Sequence, residues 1–194
     1  MADFKGILAA IEKNVSLDDV ERAVLLSSLE SRSLKSGDII ARSGEQHQHF
    51  IFVSMGCLMT YFTDSEGVER VLQFAMASWW TGDLDSFTKH TRSCYTVRAI
   101  VDSEVLLLTV PAFENLLERV PKLEKYFRIL FQNSIVSHGR RITEMNSYSA
   151  EERYESFRQR YPMLEQFVPQ KYIASYLGVT PEFLSKVRRR LAHK

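Results

Sequence analysis

Cysteine is almost absent from this chain, and the two that occur, Cys57 and Cys94, lie far apart without CxxC spacing. That argues against a disulfide scaffold, iron–sulfur ligation and zinc-finger chemistry, and it fits a reducing compartment. Long apolar runs are missing too, with nothing near the roughly 18 residues needed to cross a bilayer. The opening MADFKGILAAIEKN carries acidic residues early and no long apolar core. It does not read as a signal peptide, and a cytoplasmic location with no membrane partner is expected. There is no low-complexity linker and no internal repeat. Catalytic equipment is also wanting. Asp83 and Asp85 make a carboxylate pair, but no nucleophile, glycine-rich phosphate loop or general base accompanies them, so no enzyme is expected. His47 and His49 form an HxH pair, with His90 further on, yet no third ligand lies in sequence reach. They are expected as exposed loop histidines, and no metal or other cofactor is expected.

What the chain does have is a basic, well-punctuated C-terminus. Its 45% hydrophobic residues suffice for real cores. Ile173, Ala174 and Leu177 are spaced to share one helical face, and Gly178-Val179 breaks that helix. Thr180 is a good N-cap and Pro181 sits where its missing N–H costs nothing. In the helix that follows, Phe183, Leu184, Val187 and Leu191 share about a 100° arc. Glu182, Ser185, Lys186 and Arg189 share the other side. A helix apolar on one side and carrying Glu, Ser, Lys and Arg on the other suits base edges and phosphates. Ala174 is small enough for the two helices to approach closely. From Gln170 onward, Lys171, Lys186, Arg188, Arg189, Arg190 and Lys194 face Glu182 alone, a net +5 in a chain that totals +1. Positive charge gathered at one end of a nearly neutral protein serves local attraction to a polyanion. The segment reads as a helix-turn-helix, with Gln170, Lys171, Thr180, Glu182, Ser185, Lys186, Arg188, Arg189 and Arg190 as the candidate DNA-binding residues.

Upstream the pattern differs. A helix is expected over residues 17–29, with Ser16 as its cap. From about Ser33 to Thr109 come short β-favouring runs over 38–41, 50–53, 57–62, 68–76, 95–101 and 105–109, punctuated by Gly37, Gly44, Gly56, Gly67 and Gly82. Such spacing indicates an all-β roll or barrel, with a hairpin turn at 64–67. Of Trp79 and Trp80, one is expected in the core and the other on the rim. Pro111 opens a helical region: a short amphipathic helix over 112–120, then a long one from Pro121 to about Met145. That second helix, near 36 Å long, exceeds one face of a small roll, so part of its stripe is expected to meet a second copy. Ser149 and Glu152 form a capping-box pattern that restarts a helix through Gln159.

The order of β-roll, long helix and helix-turn-helix resembles the Crp/Fnr superfamily of bacterial transcription regulators. The resemblance rests on Gly37-Asp-Ile-Ile, Gly44-Glu45 and Phe50-Ile-Phe-Val-Ser-Met-Gly56, then Thr81-Gly-Asp-Leu84 with Val97-Arg-Ala99 behind it. It implies an α+β chain with an N-terminal double-stranded β-roll, of the cyclic-nucleotide-binding kind, over residues 1–120. A dimerisation helix over 121–147 and a helix-turn-helix domain over 148–194 would follow. It further implies a homodimer on roughly palindromic double-stranded DNA, with Leu123, Phe127, Leu130, Phe131 and Ile135 as interface candidates. RNA polymerase and a small-molecule effector stand as further candidate partners. Gly82, Asp83, Leu84, Ser93 and Cys94 occupy the positions that line the family's nucleotide pocket. Nucleotide-binding members carry Glu after the glycine, and an Arg followed by Ser or Thr further on. Here Asp83 is shorter, and Ser93 and Cys94 stand at the Arg and Ser/Thr positions without a gap, with Arg92 one residue away. A cyclic phosphate would lack its charged partner, so tight binding of cyclic AMP is not expected. Many members continue into a β-hairpin wing where this sequence has only His193 and Lys194, and loss of phosphate contacts is expected from that. The alternative reading is a small-molecule-binding module whose C-terminal helices bind a protein.

Overall fold

Strand runs such as Phe50-Ile-Phe-Val53 are apolar at every position, which means that both faces of the strand must be covered. The structure, a computed structural model, shows how. It describes residues 4–192; Met1 to Asp3, and the His193 and Lys194 that end the basic segment, lie outside the described residues. The order is α1 (Lys5–Glu12), α2 (Asp19–Ser27), β1 (Glu30–Leu34), β2 (Ile39–Ala41), β3 (His49–Met55), β4 (Cys57–Thr63), β5 (Glu69–Met76), β6 (Trp80–Thr81), α3 (Leu84–Lys89), β7 (Thr96–Ala99), β8 (Ser103–Thr109), α4 (Val110–Arg119), α5 (Lys122–Ser147), α6 (Ala150–Arg160), a 3-10 turn (Leu164–Gln166), α7 (Gln170–Leu177) and α8 (Pro181–Ala192). The chain is an α+β protein whose strands form two four-stranded antiparallel sheets, ordered β1-β8-β3-β6 and β2-β7-β4-β5.

Between the sheets lie Leu34, Ile51, Val53, Leu58, Ala75, Val97, Val105 and Leu107. Alternate residues point outward on each sheet. Phe50, Phe52, Leu106 and Leu108 meet α1, α2, α4 and the start of α5 through Ile7, Ile11, Leu25, Leu116 and Leu123. Met59, Tyr61, Val71 and Phe74 meet the C-terminal helices through Tyr154, Phe157, Tyr161, Ile173 and Tyr176. Trp80 is the core tryptophan, stacked on Phe50 at 4.6 Å and donating to the Tyr126 hydroxyl at 2.9 Å. Trp79 is partly exposed and packs beside Tyr161.

Local chemistry explains where the elements depart from expectation. The N-terminal helix begins after Asp18, not Ser16, because Asp18 and Glu21 cap each other's amides, both at 2.9 Å. The β region opens at Glu30, three residues before Ser33. Two elements carry no clear periodic signal: the two-residue strand β6, and the six-residue α3, which depends on the Asp83 side-chain cap. The box at Ser149 and Glu152 does open α6. At Gly56 (φ +92°) a Cβ would stand 2.7 Å from the Asp102 carbonyl oxygen, so no other residue fits this β3–β4 turn.

Helix α5, 26 residues and about 39 Å long, changes surroundings along its length. This corrects the expected interface. Leu123 and Phe127 are buried in the chain's own core, and Leu130 and Phe131 pack against it, so no second chain can reach the first two. Ile135, at 71% exposed, is the first of the five that stands clear. The stretch 132–140 is exposed throughout.

One turn later Arg141 returns to the protein. Its guanidinium donates to the carbonyl oxygens of Leu72, Val71 (3.0 Å) and Tyr176 (3.0 Å), and lies 4.2 Å from the Tyr176 ring centre. Burial lowers its pKa and outweighs the opposing pull of Tyr176, Tyr161 and Glu144. Replacing Arg141 with Ala leaves three carbonyl groups without this donor and is expected to cost about 1–3 kcal/mol. The α7–β5 contact should loosen first. Chemical denaturation and amide exchange, comparing Arg141→Ala with wild type at the α7 amides, measure both.

Candidate nucleic-acid interface

Helix α7 closes on Gly178 in the left-handed region (φ +68°), with the Val179 amide donating to Ala174 and the Gly178 amide to Ser175. A Cβ on Gly178 would stand 2.5 Å from Met145 Cε, so glycine is needed both for the turn and for the approach of α5. The Thr180 hydroxyl then accepts from the Phe183 amide at 3.2 Å, which opens α8. Leu184 and Val187 are buried against Ile173, Leu177 and the fully buried Ala174. This packing orients α8 and turns Glu182, Lys186 and Arg189 outward, where all three are exposed. Hydrogen bonds from its own amide and from the Thr180 hydroxyl hold the Glu182 carboxyl below the usual range, so it is ionised at neutral pH. Among the described residues, Lys186 and Arg189 have no ion-pair partner.

Other candidates are engaged elsewhere. Ser185 is half-buried and accepts from the Gln170 side chain at 2.8 Å, and the same amide group reaches the Pro181 carbonyl at 3.2 Å. Gln170 and Ser185 therefore join α7 to α8. Arg190 pairs with Glu151 at 2.8 Å, Arg188 stands 3.8 Å from Glu165, and the Lys171 amine lies over the Tyr172 ring at 4.8 Å. Phe183 corrects the helical wheel: it was expected among the apolar face and is instead 46% exposed. It sits at the edge of the apolar arc, where the two helices no longer cover it.

The first of these helices is seated on β5, the edge strand of its sheet. The Ser175 hydroxyl accepts from the Val71 amide and donates to the Glu69 carbonyl, at 3.0 and 2.8 Å. Arg98 from β7 grips Glu69 with two bonds at 3.0 and 2.8 Å and donates to the Tyr172 hydroxyl at 2.8 Å. Burial works against the Glu69 charge, yet Arg98 prevails and keeps its pKa lowered. Arg98, Arg141 and Ser175 carry no pattern that marks them as docking residues in the sequence.

The five pocket candidates are brought near one another but do not form an open, charged cradle. Asp83 is buried and its Oδ1 accepts from the Asp85 and Ser86 amides, so the carboxylate caps α3. Ser93 is buried too. Its amide and carbonyl pair with Glu45 and Gly44, and its hydroxyl accepts from the Tyr95 amide at 2.9 Å. Leu84 and Cys94 are exposed, Gly82 is half-buried, and Arg92 keeps an exposed side chain while its backbone pairs with Gln46. A cavity of about 360 Å³ lies beside this loop, lined by Ile40, Arg42, Glu45, His47, His49 and Ile51 among others. None of the five candidates lines it. His47 is nearly fully buried and His49, whose pKa burial lowers, is half-buried, so neither is the exposed loop histidine expected.

Residues 31–120 match the cyclic nucleotide-binding domain family. The chain is 28% identical over 155 residues to the transcriptional regulatory protein btr of Bordetella pertussis, a match covering 73% of this chain and 62% of that one. The matched part thus spans under two thirds of that relative. Among solved structures, FixK2 from Bradyrhizobium japonicum superposes with a TM-score of 0.73 at 16% identity, over 85% of each chain. The Thermus thermophilus catabolite activator protein does so at 0.59 and 21% identity, over 92% of this chain and 85% of that one. The chain thus carries a cyclic nucleotide-binding domain over residues 31–120 and is similar in overall fold to these regulators. That shared fold accounts for the double sheet, the long α5 and the C-terminal helix pair in one scheme. No helix among the described residues is long and apolar enough to cross a membrane.

Ser93 is buried and uncharged, and the Asp83 carboxylate is committed to capping. Calorimetric titration with cyclic AMP and cyclic GMP is therefore expected to show no binding in the low micromolar range. Binding in that range, abolished by Arg92→Ala, would mean that the loop rearranges to bring Arg92 inward.

Proposed function

We propose that this protein is a sequence-specific DNA-binding regulator of transcription. It acts as a homodimer on a roughly palindromic site and does not require cyclic AMP to bind. The observation that carries this reading is α8. Leu184 and Val187 on its apolar side are buried against α7, which leaves Glu182, Lys186 and Arg189 facing outward on a basic segment. Glu182 has the chemistry to accept from a cytosine amino group, while Lys186, one turn along, reaches a guanine or a phosphate. Lys171, Arg188 and Arg190 lie off that centre and suit phosphate contacts, Arg190 by exchanging its exposed Glu151 pair for a phosphate. In this reading the roll through residue 120 is the sensor part, 121–147 the dimerisation helix and 148–194 the DNA-binding part.

The dimer proposal rests on the exposed part of α5. Ile135, Gly139 and Ile142 recur at i, i+4 and i+7, with Ile135 and Ile142 exposed by 71% and 63%. A Cβ on Gly139 would meet nothing within 4 Å. A glycine in mid-helix costs about 0.5–1 kcal/mol relative to alanine, and close approach of a second α5 is a use that offsets it. Two such motifs held about 34 Å apart enter successive major grooves. Ile135→Glu is expected to give monomers that bind DNA poorly. Sedimentation showing wild type to be monomeric at micromolar concentration removes the dimer.

Selection of bound duplexes from a random pool tests the main reading, expecting a two-fold symmetric site whose binding falls steeply with salt. Glu182→Ala should then relax preference at one position per half-site, losing about 1–3 kcal/mol of discrimination. An unchanged selected sequence means that α8 meets DNA by another face.

A further inference from the structure

Phe183 is a large apolar side chain, 46% exposed, in the first turn of α8. Its position is set from three sides. Its amide is held by the Thr180 hydroxyl at 3.2 Å. Leu184, the next residue, is buried and fixes the rotation of the helix, and Pro181 fixes the first turn. On a helical wheel Phe183 stands about 100° from Glu182 and about 60° from Lys186, between the outward polar face and the buried arc. It is thus an apolar group beside an ionised carboxylate and an ammonium, in the part of a recognition helix that enters the groove first.

The surroundings are cationic through Lys186, Arg189 and Arg190, which suits a polyanion better than an apolar protein groove. A duplex offers one distinctly apolar feature in the major groove, the C5-methyl of thymine. We infer that Phe183 is a specificity-determining residue: its ring contacts a thymine methyl next to the base pair that Glu182 reads. This rests on the DNA-binding reading and adds a second recognised position to each half-site. The logic is complementary at the two positions. Glu182 gains from a hydrogen-bond donor in a place where guanine and thymine present acceptors. The phenyl ring gains from burying a methyl that cytosine and uracil lack, and it would desolvate a polar base edge without repaying it.

The test uses full-length protein and the duplex selected by wild type. Each thymine is replaced singly by deoxyuridine, which removes the methyl and leaves the pairing unchanged. Wild type is expected to lose about three- to fivefold in affinity at one thymine per half-site, the worth of one buried methyl group. Phe183→Ala should be indifferent to that replacement while keeping the Glu182-dependent preference, and Phe183→Leu should keep most of the sensitivity. Since the ring is exposed, unchanged thermal melting is expected for both variants. Wild type insensitive to every deoxyuridine overturns the inference, and so does Phe183→Ala with wild-type sensitivity. Failure of wild type to enrich any duplex overturns the DNA-binding reading itself, a different result from enrichment without a methyl effect.

Discussion

Everything C-terminal to the roll is held in place by how β5 is finished. An edge strand exposes unpaired amides and carbonyls, and these must be satisfied by something. Here α5 and α7 do it together. Arg141 supplies donors to the Val71 and Leu72 carbonyls and to Tyr176 on α7, and the Ser175 hydroxyl both accepts and donates along the same edge. Arg98 adds a grip on Glu69 and Tyr172 from the neighbouring strand. A guanidinium satisfied by carbonyl dipoles makes directional contacts, so it fixes geometry as well as adding stability. The helix that orients α8 is registered to the sheet through these polar atoms.

Apolar packing then carries that registration outward. Phe74 lies within 6.4 Å, centre to centre, of Phe157, Tyr161 and Tyr176, so β5 and the C-terminal helices share one aromatic core. Glu144 accepts from Ser156 and Arg160, tying the end of α5 to α6. A displacement of α5 would thus move α7 and α8 with it. In the proposed dimer the same ties would couple the long helix to the spacing of the two copies of α8.

Over residues 82–94 the chain's polar groups satisfy one another. Asp83, Ser86 and Ser93 satisfy backbone groups of α3 and of the 44–47 loop, and Ser86 both accepts from the His47 amide and donates to Thr91. A loop stitched in this way has structural reasons for its Asp and Ser residues that do not involve a ligand. The departure from the nucleotide-binding pattern at Ser93 is therefore compatible with the loop's own stability.

The elements were legible where the signal is local. Capping at Ser149 and Thr180, the Gly178 break, and strand runs bounded by glycine all reflect backbone chemistry within four or five residues. They placed the roll, the long helix and the helix pair. The buried side of α8 was legible at Leu184 and Val187 for the same reason. What the tertiary structure alone decided is who covers whom. Phe183 and Phe127 look alike in sequence, yet one is exposed and the other buried, because exposure depends on which distant surface arrives. Arg141 sits in a polar run that reads as solvated helix surface and proves to be a half-buried donor to a strand 70 residues away in sequence. Ser185 and Asp83 read as ligand-facing groups and are taken up by Gln170 and by the α3 amides. Periodicity states which residues share a face; only the folded chain states what that face meets.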